Sequence, residues 1–178
     1  LAEWFAPVWP ESSGQHPSPR RAEHVQQHFA GVSTRWTPLL YPDPRGETVR
    51  DVHERVYECF RRIESRLNAW GIRRVLLVSH AASIIALGRM LLSDGDVRRA
   101  TQPVRAGTAS VSKYTRGDDA RWTQVYNGNT SFLPGGSERE WDFTFVPDNN
   151  TEPGMGADWH DQYAPQDGTL VFRARSRM

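Results

Sequence analysis

Arg73-Arg74-Val75-Leu76-Leu77-Val78-Ser79-His80-Ala81-Ala82-Ser83-Ile84-Ile85 is the stretch on which the fold turns. Val75 to Val78 is an unbroken aliphatic run without polar alternation, the pattern of a parallel strand covered on both faces. Ser79 and His80 follow at its carboxyl end. Beyond them Ile84, Ile85, Leu87, Met90, Leu91 and Leu92 predict a largely buried helix that stops near Ser93-Asp94-Gly95. His80 therefore falls in a strand-to-helix turn. Open α/β sheets bind ligands beyond the carboxyl ends of their strands, and a helix N-terminus adds unpaired N–H donors and a partial positive charge. Small residues at 81 and 82 let a phosphate approach the backbone, and an imidazole beside it can donate to the phosphate oxygens. The alternative is a buried histidine hydrogen-bonded to the backbone, and the turn by itself leaves both readings open.

Upstream of this stretch, Val49, Val52, Val56, Cys59, Phe60, Ile63, Leu67 and Trp70 step by three and four between Thr48 and Trp70. Arg50, Glu54, Glu58, Arg61, Arg62 and Arg66 occupy much of the remainder, so the segment reads as an amphipathic helix. Thr48 with Asp51 offers a variant capping box, and Gly71 a C-terminal glycine. Downstream, Ala106–Thr115 and Ala120–Tyr126 read as two strands joined by the turn signal Arg116-Gly117-Asp118-Asp119, which predicts an antiparallel hairpin. Residues 1 to 45 hold many prolines together with Trp4, Phe5, Trp9, Phe29 and Trp36, and read as mostly ordered loop around a short helix near Arg21 to Phe29. From Asn127 to Gly168 the composition predicts irregular structure, with one more short strand over Thr169 to Arg173.

The bulk numbers narrow the classes. A chain of 178 residues suits one well-cored domain, with two small ones as the alternative. With 22 Lys+Arg against 21 Asp+Glu, the charge balance indicates neither a dedicated nucleic-acid surface nor a membrane surface. The one cysteine, Cys59, excludes an intramolecular disulfide framework and points to a reducing compartment, cytoplasmic or nuclear. No apolar run approaches the ~18 residues of a membrane span, and no signal peptide is recognisable. Asn129-Thr130-Ser131 and Asn149-Asn150-Thr151 match glycosylation acceptors and are read as chance matches. The chain opens at Leu1 directly into the aromatic segment Leu1-Ala2-Glu3-Trp4-Phe5, which suggests an amino-terminal truncation.

At three points, in order, the residues resemble the histidine phosphatase superfamily, the phosphoglycerate-mutase-like fold. Leu1-Ala2-Glu3-Trp4 is similar to its segment holding an acidic proton donor. Gly46-Glu47-Thr48 followed by Arg55 is similar to its Gly-Glu-Ser helix entrance, and Val78-Ser79-His80-Ala81 to its second-histidine motif. Glu3-Trp4 and Ser79 to Ser83 most resemble the subgroup of ubiquitin-associated, SH3-containing tyrosine phosphatases and the tau subunit of fungal transcription factor IIIC. The loop with Trp9, Pro10 and His16 has a fungal style.

The resemblance implies an α/β three-layer sandwich, here lacking its first strand. Residues 1–126 would be the carboxyl-terminal portion of the phosphatase domain, and 127–178 an irregular extension packed on it. It implies a phosphomonoester hydrolase without cofactor or metal, in which a histidine of an Arg-His-Gly motif attacks the phosphoryl group and becomes a phosphohistidine. A carboxylic acid protonates the leaving oxygen and then activates water. A second histidine and two arginines hold the phosphoryl oxygens. Carried over, Glu3 takes the place of the acid, His80 that of the second histidine, and Ala81 lends a backbone N–H to the substrate phosphate. No Arg-His-Gly occurs in the chain, so two readings stand: part of an active phosphatase separated from its nucleophile, or a non-catalytic phosphatase-like protein with a protein partner, such as a transcription factor IIIC subunit. An exposed strand edge at Val75 to Val78 would make the isolated chain poorly soluble and inactive.

Other candidates read more plainly. His24 and His28 have the four-residue spacing of metal ligands but lack the His-Glu-x-x-His pattern, and are expected in solvent. His53 falls on the Arg50/Glu54 side of its helix and is expected at the surface. His16 lies in a Pro-rich loop near Glu3 in sequence and is expected in solvent, with a place at the site entrance as the alternative. Arg61, Arg62 and Arg66, interrupted by Glu58 and Glu64, read as a solvated face. Cys59 reads as packing.

Overall fold

A computed structural model describes residues 3–6, 20–35 and 37–143. In chain order these form α1 (Ala22–Gln26), α2 (Val49–Ala69), α3 (Ala81–Leu92), a single 3-10 turn over Val97–Arg99, β1 (Val111–Arg116) and β2 (Trp122–Asn129). The expected stretch Arg21 to Phe29 yields only the short α1, which buries no residue. Trp9, His16, Trp36 and Thr169 to Arg173 lie outside the described residues.

α2 starts where its sequence says it should. Asp51 N–H donates to Thr48 Oγ1 at 3.0 Å and Thr48 N–H to Asp51 Oδ2 at 3.0 Å, closing the capping box. At the other end Gly71 takes φ +67, and Ile72 N–H donates to the Leu67 carbonyl at 2.8 Å, the left-handed cap that absorbs orphan carbonyls. α3 ends the same way one residue earlier than its glycine. Asp94 is the left-handed residue (φ +54) and Gly95 N–H reaches the Met90 carbonyl at 2.8 Å.

The core is the seam between these helices. Val52, Val56 and Phe60 of α2 meet Ile85, Ala86 and Met90 of α3, all buried. β1 and β2 form an antiparallel hairpin with Thr115 opposite Thr123 and register shifts on either side of Lys113. Its Trp122 packs edge-on to Phe60 at 5.6 Å, and Tyr114 lies over α3 at Gly88. β1 begins at Val111 rather than Ala106, because Ala109 adopts a positive φ and Thr108 N–H is taken by the Glu138 carbonyl at 2.8 Å.

Two expectations are corrected. Val75 to Val78 is extended but is not a covered strand: Val75, Leu76 and Val78 are 48%, 82% and 84% exposed, and only Leu77 packs on the core. A strand is buried by its neighbours, and among the described residues the hairpin strands pair only with each other. Nor does any hydrogen bond among the described residues reach the backbone of Val75 to Val78. Beside it opens a groove of about 760 Å³, floored by Ile84, Leu87 and Leu91 of α3 and walled on the far side by residues 106–114.

His53 is the second correction. It is 0% exposed, with its Nδ1–H donated to the Val49 carbonyl at 2.6 Å and its ring 5.3 Å from Phe143. The buried stripe of α2 is widened on that flank by Phe143, which the helical pattern alone does not reveal.

Candidate active site

His80 is the N-cap of α3, with φ −99 and ψ 163. It thus stands outside the helix, while its carbonyl takes the first intrahelical bond from Ile84 N–H at 3.0 Å. The N–H groups at the start of α3, Ala81 first, point out of the helix end without intrahelical acceptors, and the dipole favours negative charge there. The His80 side chain contributes no cap hydrogen bond. It turns instead to Glu3, with Nδ1 and Oε2 2.6 Å apart. Both groups are accessible, His80 at 65% and Glu3 at 38%.

Glu3 is held from below. The Trp4 indole is buried and donates to the Glu47 carbonyl at 2.7 Å, and Glu47 N–H returns a bond to the Phe5 carbonyl at 2.9 Å. The Glu47 carboxylate is in turn clamped by the Arg55 guanidinium through Nε and Nη2, the latter at 2.7 Å, with both side chains almost completely buried. This is the forked geometry in which an arginine pairs most strongly with a carboxylate. Gly46 precedes it with φ +95, a conformation suited to glycine. The Gly46-Glu47-Thr48/Arg55 motif thus caps α2 and ties the Glu3 segment to it.

On the far side Trp4 stacks edge-on against Trp141 at 6.0 Å and Phe143 at 5.2 Å. Sequence reasoning missed this contact, as it lies in a region read as irregular. Phe143 rests under the buried Arg89 of α3, 5.6 Å from ring centre to guanidinium carbon, and Arg89 reaches Asp142 at 3.5 Å and the Gln102 carbonyl at 3.2 Å. Burial pulls the Arg89 guanidinium below its ordinary range, opposed by the Asp142 carboxylate. The same burial, with Arg89 adding to it, lowers His53 from 6.5 to about 3.

Ser79, His80 and Ala81 line one end of the groove, with Lys113 and Arg139 among its cationic groups and, among the described residues, no carboxylate in its lining. No arginine among the described residues bonds to Glu3 or His80. His24 and His28 are exposed, their rings 5.4 Å apart, and among the described residues no group of side chains could hold a metal ion. Arg62 of the basic cluster pairs with Glu58 at 2.8 Å, and Cys59 is half-buried. No helix among the described residues is long and apolar enough to cross a membrane.

A family model for the histidine phosphatase superfamily (branch 1) matches residues 7–129. The chain belongs to this superfamily. It is also similar to the transcription factor tau 55 kDa subunit of Saccharomyces cerevisiae (strain ATCC 204508 / S288c), with 29% identity over 188 aligned positions that cover 89% of this chain and 41% of that protein. The chain therefore spans about two fifths of the length of this relative.

Proposed function

We propose that this chain carries the acid and phosphate-holding portion of a histidine phosphatase site, acting on a phosphomonoester. The observation that carries the reading is the Glu3–His80 contact at the amino end of α3. A carboxyl group there has the position to protonate a leaving oxygen and later to take a proton from water. His80 and the Ala81 N–H would hold the phosphoryl oxygens and stabilise the charge that develops on them. The nucleophile of this chemistry, a histidine in Arg-His-Gly, has no counterpart in the 178 residues, so turnover is assigned to a polypeptide that also supplies it. No cofactor enters the scheme. The division into a phosphatase-type portion, 1–126, and an extension, 127–178, belongs to the proposal, and the packing of Trp141 and Phe143 on Trp4 supports an extension seated on the domain.

The test is hydrolysis of p-nitrophenyl phosphate by the full-length protein. His80→Ala is expected to lower kcat/KM by about 10²–10³ fold, the usual cost of losing a group that stabilises transition-state charge, with little change in melting temperature because the side chain is exposed. Activity unaltered by both His80→Ala and Glu3→Gln would overturn the assignment.

A second reading is favoured by the likeness to the tau 55 kDa subunit together with the missing Arg-His-Gly: a non-catalytic member of a nuclear protein assembly that uses the same domain as a docking module. Absence of turnover in the full-length protein, combined with co-purification of a stoichiometric protein partner that releases when the domain is deleted, would select it.

A further inference from the structure

We propose that Arg89 is a positioning residue for Glu3, acting through Asp142, Phe143 and Trp4; the proposal rests on the reading of Glu3 and His80 as one site. α3 holds both halves of that pair. At its amino end it sets His80 as the N-cap, and toward its carboxyl end, still inside the core, it presents the Arg89 guanidinium. That group takes Asp142 on one side at 3.5 Å and lies over the Phe143 ring at 5.6 Å, fixing a segment that has left the hairpin and crossed back over the helix seam. Phe143 is 0% exposed and sets its ring edge-on to Trp4 at 5.2 Å. Trp4 adjoins Glu3 in sequence, and its backbone N–H donates to Glu3 Oε1 at 3.1 Å, leaving Oε2 for His80.

Energetics support the assignment. Burying an arginine is costly. Here Nη2 faces Asp142 at 3.5 Å, Nε donates to the Gln102 carbonyl at 3.2 Å and the guanidinium lies over the Phe143 ring, while Nη1 has no hydrogen-bond partner among the described residues. A purely apolar residue at position 89 would fill the same space, but it would hold neither the Asp142 carboxylate nor the face of Phe143. The segment 141–143 follows the residues matched by the superfamily model, 7–129, and Trp4 precedes them.

The experiment is carried out on the full-length protein labelled with 15N at histidine, the His80 ring signals being identified by their loss in His80→Asn. In the unaltered protein these signals report an Nδ1 engaged in a hydrogen bond, and Glu3→Ala shifts them to those of a free imidazole. Arg89→Met, Asp142→Asn and Phe143→Leu are expected to move them most of the way to the Glu3→Ala positions. Signals that stay in place in Asp142→Asn and Phe143→Leu, while Glu3→Ala moves them, would overturn the positioning role and leave the pair standing. Signals indifferent to Glu3→Ala would remove the pair itself and the functional reading with it. Should Phe143→Leu fail to fold, Asp142→Asn decides alone, since that side chain is 35% exposed and its change costs little packing.

Discussion

His53 and His80 carry the same imidazole into opposite surroundings. His80 is open to solvent and faces a carboxylate, whereas His53 is sealed between α2 and Phe143 and faces the positive charge of Arg89. The folded protein therefore keeps His53 neutral down to about 3, while the unfolded chain takes up that proton near 6.5. Between those values the unfolded state binds more protons, so stability is lost as the pH falls from 6.5 towards 3. The limiting slope from one such group is about 1.4 kcal/mol per pH unit. Urea unfolding across this range should show a shallower acid limb for His53→Leu than for the unaltered protein; parallel limbs would mean that His53 titrates normally. His53 was not legible as buried, because its neighbours Arg50 and Glu54 belong to the exposed face and the residue that covers it comes from far along the chain. Glu3 and His80 were legible only as two short motifs. What joins them is the Glu47–Arg55 clamp, whose residues were legible as a motif though their pairing was not, and the packing of Trp141 and Phe143 on Trp4, a long-range contact that no local pattern encodes.

Elements whose limits are set by nearby residues came through clearly. The Thr48–Asp51 box and Gly71 bound α2, the small residues after His80 open α3, and the Gly117 turn joins β1 to β2. Gly88 is more informative than its place in mid-helix suggests. A Cβ there would fall 2.2 Å from the Tyr114 hydroxyl and 2.9 Å from a Val104 methyl, so the glycine is what lets the hairpin lie against α3. Burial raises the Tyr114 phenol above its ordinary range, and Gln124 donates to its oxygen at 2.9 Å, so the hydroxyl cannot retreat without giving up a partner. Gly88→Ala gains about 1 kcal/mol in helix propensity but overpacks this contact, which typically costs about 1–3 kcal/mol. A net loss of stability is expected in urea titration. Tyr114→Phe in the same background should recover part of it, and an unchanged or raised midpoint for Gly88→Ala alone would show that the hairpin shifts freely.

At the scale of the molecule the membership of the superfamily was readable from motif order, while the state of the sheet was not. Val75 to Val78 has the composition of an interior strand, but composition cannot supply the strands that would cover it. In the described residues the run instead borders an apolar groove of about 760 Å³ with Leu76 and Val78 turned outward. Open edges of this kind template association with other chains. Residues 1–178 prepared alone should therefore sediment as aggregates, and a Leu76→Lys, Val78→Lys double variant should remain dispersed with an unchanged melting temperature, since both side chains lie outside the core. A monodisperse preparation of the unaltered chain would contradict this.

The backbone at Val75 to Val78, unbonded among the described residues, also makes those amides a quiet background in deuterium exchange. Unprotected amides take up deuterium almost at once, whereas those inside α3 wait for the helix seam to open. Any segment or partner that settles along this run would register as new protection over consecutive amides. The run thus reports, one residue at a time, on whatever pairs with it.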